Sequence, residues 1–100
     1  MVIVAGHVTV EPQQREAYLV GCVSIVKRSR SLAGCLDFAI TADLVDPGRV
    51  NIFERWESQA ALESTRSSAP PFEQAAEMTS VSVAEYDIAE VRPLFGESTA

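Results

Sequence analysis

The sequence predicts one α+β domain with the element order strand, helix, strand, strand, helix, strand. Three observations carry that expectation. Four segments are rich in β-branched and aromatic residues, and the second of them, residues 35–43, alternates between two faces. Between the first and second segments lies a run with apolar residues three and four apart, the stripe of a buried helix face. Asp46-Pro47-Gly48-Arg49 is a turn signal between the second and third of these segments, so the third returns antiparallel to the second.

Taken in order, residues 2–10 form the first strand: they are mostly Val, Ile and Ala, interrupted by Gly6, His7 and Thr9. Pro12 suits a first helical position. The helix is expected over residues 13–32, with Tyr18, Leu19, Cys22, Val23, Ile25 and Val26 on its stripe. Lys27, Arg28 and Arg30 form a solvated cluster at its C-terminus, where cations favour the helix dipole, and Gly34 ends it. In the second strand, residues 35–43, Leu36, Phe38 and Ile40 take one face and Asp37, Ala39 and Thr41 the other. The third, residues 50–57, sets Val50, Ile52, Glu54 and Trp56 against Asn51, Phe53, Arg55 and Glu57. Ser58 can cap a second helix over residues 59–67. Pro70-Pro71 breaks it, a short helical piece follows over residues 72–78, and residues 82–91 form the last strand, ended by Pro93. Residues 1–93 are therefore read as the domain. Residues 94–100 are read as a tail whose Leu94 and Phe95 can dock on a neighbour.

Composition narrows the function classes. Hydrophobic residues make up 47% of the 100 residues and charged residues 22%, a globular balance that excludes collagen-like and disordered chains. The net charge of −6 repels phosphate backbones, so no nucleic-acid partner is expected. No stretch approaches the roughly 18 apolar residues of a membrane span. Met1 to Ala5 lack the basic flank of a secretion signal. Cys22 and Cys35 have neither metal-site nor redox-motif spacing, and with no secretion signal they are expected as reduced, buried thiols in a cytoplasmic protein.

This element order is the split-βαβ, or ferredoxin-like, arrangement: one antiparallel sheet with both helices on one face. Such a sheet is normally polar on its uncovered face. Here Val2, Val4 and Val8 point one way while Ile3 and Ala5 point the other, and Phe53 opposes Ile52 and Trp56. Both faces are apolar. The simplest cover for the second face is another copy of the chain, a homodimer that buries Phe53, Arg55 and Asn51.

Several segments together resemble a known family: Val10-Glu11-Pro12, Arg15-Glu16-Ala17-Tyr18, Gly34-Cys35-Leu36 with Phe38, the Asp46-Pro47 turn, and Phe53-Glu54-Arg55-Trp56-Glu57-Ser58 followed by Ala60-Ala61-Leu62. Over about residues 2–92 the chain resembles the antibiotic biosynthesis monooxygenases, whose protomers pair as dimeric α/β barrels. The resemblance implies a pocket between sheet and helices and oxidation of aromatic polyketides or quinols by O2 without metal or flavin. It also implies that the residue at Trp56 lines that pocket and that a polar pocket residue lies near His7. The chain departs from the family pattern in the second helix: Thr65 stands where relatives commonly carry His, and Pro70-Pro71-Phe72 offers none either. The haem ligand of the haem-degrading branch is therefore missing.

The residues themselves supply the candidate site. His7 is the sole histidine and the natural acid or base at neutral pH. Glu54 shares the Trp56 face, where desolvation raises a carboxyl pKa; the competing role is a salt bridge to an Arg across the sheet or dimer. Trp56, Ile52, Tyr18, Phe38 and Tyr86 are the candidate substrate contacts, offering flat walls and aromatic donors. No nucleophilic triad, phosphate loop or metal-spaced cluster occurs, so neither cofactor nor metal is expected. The expected function is oxidation of a hydrophobic aromatic molecule by O2, with His7 or Glu54 as base. The rival expectation is a non-catalytic binding or accessory protein of the same fold. A third is an isomerase or lyase of the wider barrel superfamily, since fold does not fix reaction.

Overall fold

The computed structural model describes residues 1–68 and 78–96. It has the expected ferredoxin-like α+β architecture, a four-stranded antiparallel sheet in the order β2-β3-β1-β4. The strands are β1 (Val2–Val10), β2 (Cys35–Ala42), β3 (Arg49–Trp56) and β4 (Met78–Asp87); the helices are α1 (Arg15–Arg30) and α2 (Gln59–Ser68).

β1 sits in the interior of the sheet because its Val2, Val4, Val8 and Val10 side chains all need cover. Each is at most 3% exposed, and burying such a side chain contributes roughly 1.5–3 kcal/mol. In register, Val2 opposes Trp56, Val4 opposes Glu54 and Val8 opposes Val50, so these residues share the helix-covered face. Gly6 lies on that face too, with φ +154°. A Cβ there would strike the Ser82 carbonyl oxygen and sit 2.7 Å from Val83 Cα. Glycine is what lets β1 and β4 close together.

Pro12 opens a short 3-10 turn, Pro12–Gln14, and the α-helix proper begins at Arg15 rather than at residue 13. The Arg15 guanidinium reaches the turn between β2 and β3, where Nη1 donates to the Asp46 carbonyl at 2.9 Å. Asp43 organises the same turn. It accepts the Val45 and Asp46 amides and the Asn51 side-chain amide at 2.8–3.1 Å. These bonds, the Asp46 amide first, hold its carboxyl down at about 2. The buried positions of α1 are Tyr18, Cys22 and Ser29, with Ile25 and Val26 partly buried. Val23, expected on the stripe, is instead 48% exposed. It belongs with Val20 on a side of α1 that borders an open groove, with Ala42 of β2 across it. Nor is the basic cluster wholly solvated: Arg30 Nε donates to the Phe38 carbonyl at 2.8 Å, tying the end of α1 to β2.

Gly34 takes φ +86°, and a Cβ there would lie 2.6 Å from the Ala61 Cβ. The missing Cβ lets α2 approach closely. Ser58 caps α2 as expected, its Oγ accepting the Ala61 amide at 3.1 Å. The expected face assignment in β2 needs one correction. The register slips between Cys35 and Asp37, so Cys35 packs against the core while Leu36 is 37% exposed. The last strand runs earlier than expected, because β4 pairs along the full length of β1 from Val10 opposite Met78 to Val2 opposite Asp87. Met78 is thus a strand residue, and Val91 lies beyond the strand. The remainder of the helical piece expected over residues 72–78, and the Pro70-Pro71 break, fall outside the described residues. No helix of the described residues is long and apolar enough to cross a membrane.

Candidate functional site

The covered face of the sheet carries two core clusters. One gathers Val8, Val10, Tyr18, Cys22 and Val50. The other gathers Val2, Val4, Phe38, Trp56 and Leu62, with Ile25, Val26, Cys35, Ile40 and Ala61 against it. The second cluster contains a charge. Glu54 projects from β3 between Val4 of β1 and Phe38 of β2 and is 7% exposed.

Strand periodicity places Glu54 and Trp56 on one face, two residues apart, and that spacing makes their contact. Trp56 Nε1 donates to Glu54 Oε1 at 2.9 Å. Phe38 meets the indole edge-on, with ring centroids 6.5 Å apart and planes at 84°. Arg66 of α2 brings one guanidinium nitrogen to 3.8 Å from the same Glu54 oxygen. Burial dominates the electrostatics and pushes the Glu54 carboxyl above the ordinary range; the Trp56 hydrogen bond and the Arg66 charge pull it partway back. Cys35 stands opposite Trp56 in the register, and burial, followed by the Glu54 charge, raises its thiol pKa. A carboxylate kept from water among apolar side chains, with one donor holding it, is built to accept a proton.

The other expected site residues divide between the two faces. Ile52 shares the Glu54 face but packs against the first cluster, as does Tyr18, which is 1% exposed. His7 does not join Glu54. It opposes Asn51 and Ser82 on the other face of the sheet. Tyr86 opposes Ile3 on that face and is half exposed. Phe53, Arg55 and Asn51 lie there as expected. Trp56 is packed in the core, 1% exposed. A groove of about 540 Å³ lies elsewhere, beside α1, lined by Leu19, Val20, Val23 and Ala42 with Arg15 and Glu16. Among the described residues no three His, Cys, Asp or Glu side chains are grouped to hold a metal ion.

Arg66 and Cys35 are the site residues that sequence reasoning passed over. Arg66 was detectable: it follows the core residue Leu62 by four, so both lie on one helix face. Cys35 was expected as a buried thiol and is only partly buried; its place opposite Trp56 depends on the register slip, which alternation does not show.

Comparison with known proteins agrees with this fold. A family model described as antibiotic biosynthesis monooxygenase matches residues 1–78. A solved structure of a candidate antibiotic biosynthesis monooxygenase from Deinococcus radiodurans is 25% identical, with a TM-score of 0.81 over 96% of this chain and 100% of that one. PA3566 from Pseudomonas aeruginosa is 26% identical, with a TM-score of 0.72 over 88% of this chain and 93% of that one. The uncharacterized protein sll1783 of Synechocystis sp. is 29% identical over 62 residues, 62% of this chain. The match spans only 42% of that relative's length.

Proposed function

Because this chain belongs to the antibiotic biosynthesis monooxygenase family, we propose that it oxidises an aromatic, polyketide-like or quinol-type molecule with O2 and no cofactor, using Glu54 as the base. The observation that supports this reading is the buried Glu54 carboxylate beneath α2, held by the Trp56 indole and raised in pKa by its apolar surroundings.

In this reading the substrate supplies the electrons. Glu54 takes the acidic proton of an anthrone or quinol, leaving an electron-rich anion. The anion passes one electron to O2, giving a substrate radical and superoxide, and the two recombine at carbon. The resulting peroxide anion recovers a proton from Glu54 and loses water. For an anthrone the balance is a CH2 group plus O2 going to a carbonyl plus water. The protein's part is to bind, exclude water and move one proton.

The working unit in this proposal is a cytoplasmic homodimer joined through the sheet face of Phe53, Arg55 and Asn51. The test is O2 consumption with anthrone and a naphthoquinol as probes. Glu54→Gln keeps the shape and the indole contact but cannot act as base, and it is expected to lower kcat by about 100-fold or more. His7→Ala, altered on the opposite face, is expected to retain turnover. Equal turnover in Glu54→Gln and the parent overturns the assignment of Glu54. Ligand binding with no O2 consumption by the parent favours the rival binding protein, a reading supported by Thr65 at the usual His position.

A further inference from the structure

We infer that Arg66 is the receptor for an anionic oxygen at the edge of the Glu54 site, so that the molecule this site takes is an aromatic anion, a carboxylate or acidic phenol, which draws the guanidinium away from Glu54. The aromatic part of this statement rests on the proposed function; the anionic part rests on Arg66 itself.

Three features of the geometry point that way. First, α2 enters the core at Leu62, 3% exposed, and leaves it one turn later at Arg66, whose side chain is 59% exposed. Arg66 therefore stands where the buried carboxylate meets solvent. Second, the two are 3.8 Å apart, too far for a hydrogen bond, and the Glu54 oxygen that faces Arg66 already accepts the Trp56 N–H. The fork of guanidinium donors is thus not engaged by Glu54 and remains able to grip a carboxylate in bidentate fashion. Third, an ion pair with one exposed partner and no hydrogen bond adds little stability, so packing alone is a weak reason for an Arg here.

The consequence is a coupling between binding and basicity. Among the described residues, the charged and titratable groups around Glu54 are Arg66 of α2, Cys35 of β2 and Glu85 of β4, which lies beyond Val4 on the same face. Arg30 of α1 is engaged by the Phe38 carbonyl. Among the described residues, Arg66 is the one opposing charge that acts on Glu54. A substrate anion that occupies Arg66 leaves the burial of Glu54 in place and cancels the charge that offset it. Glu54 becomes a stronger base when there is a proton to remove.

The test reads the Glu54 carboxyl directly, by carbon NMR of protein labelled at the Glu side-chain carboxyl, with the resonance assigned by its loss in Glu54→Gln. The probes are 2-naphthoate and its neutral analogue 2-naphthamide. Naphthoate is expected to move the Glu54 titration to higher pH, and naphthamide to leave it in place. Arg66→Gln is expected to raise the titration without any ligand and to weaken naphthoate binding by about 10-fold or more, whereas Arg66→Lys, which keeps the charge but not the fork, is expected to hold the unliganded titration near that of the parent and to recover only part of the naphthoate binding. An unmoved titration, an equal shift with naphthamide, or undiminished naphthoate binding by Arg66→Gln overturns the inference. The O2 assay fails or succeeds separately. If naphthoate shifts Glu54 but Glu54→Gln turns over normally, the anion site stands and the catalytic reading falls.

Discussion

Glu54 is a carboxylate in surroundings that favour its neutral form, and that preference has a measurable sign. Burial raises its folded pKa above the reference value of 4.5, so the folded state holds its proton more tightly than the unfolded chain. The resulting stability is fully present below about pH 4.5 and is lost as pH rises through the folded value. Across pH 5 to 8 the parent is therefore expected to lose stability relative to Glu54→Gln, which does not titrate. Trp56→Phe, which removes the indole donor, should steepen the fall. Urea midpoints at each pH check this, and a difference that runs the other way would mean that Arg66 outweighs burial. At this scale the pairing of Glu54 with Trp56 was legible, because a period of two admits no other arrangement within a strand. The separation of His7 from Glu54 was only half legible. Alternation grouped His7 with Ile3, Ala5 and Thr9, but which side of β1 faced the helices depended on Val4 meeting Glu54 across the sheet.

Among the elements, β1 and β4 depend on a single glycine. Gly6→Ala places a methyl group against the Ser82 carbonyl in a backbone conformation that L side chains rarely adopt. It is expected to cost about 1–3 kcal/mol or more and to lower amide protection in β4 first; thermal unfolding with hydrogen exchange reports both. An alanine variant as stable as the parent would show that the two strands can part without harm. The start of β4 was not legible because Thr79 and Ser80 read as loop residues. Their role is to meet Thr9: both hydroxyls bond to the Thr9 hydroxyl, so the strand begins on polar contacts that carry no apolar period. The extents of β1, β2 and β3 and the start of α2 were legible to within a residue or so, since each is bounded by Gly, Pro, Ser or a turn.

For the whole molecule, the sheet face away from the helices is organised in rows across the strands. One row is Thr41, Asn51, His7 and Ser82; the next is Ala39, Phe53, Ala5 and Ala84. An apolar row of small residues around one Phe, flanked by a polar row, suits contact with a second copy. Phe53→Glu sets a carboxylate into that row. It is expected to convert a dimer to monomer in sedimentation at micromolar concentration with the helical signal retained; a parent that sediments as a monomer sinks the dimer proposal. The four strands are also unequal partners. Among the described residues β1 and β3 are paired on both edges, whereas β4 is joined to β1 alone and its side chains after Met78 are exposed. The seam between β1 and β4 joins residues from 68 positions apart, Val10 with Met78, to 85 apart, Val2 with Asp87, while β2 and β3 meet across one short turn. In time rather than space, the local hairpin can form early and the long-range seam closes last. A nascent chain that has emerged only as far as α2 would therefore carry β1 with one edge bare, and that edge stays open to any passing strand until β4 arrives.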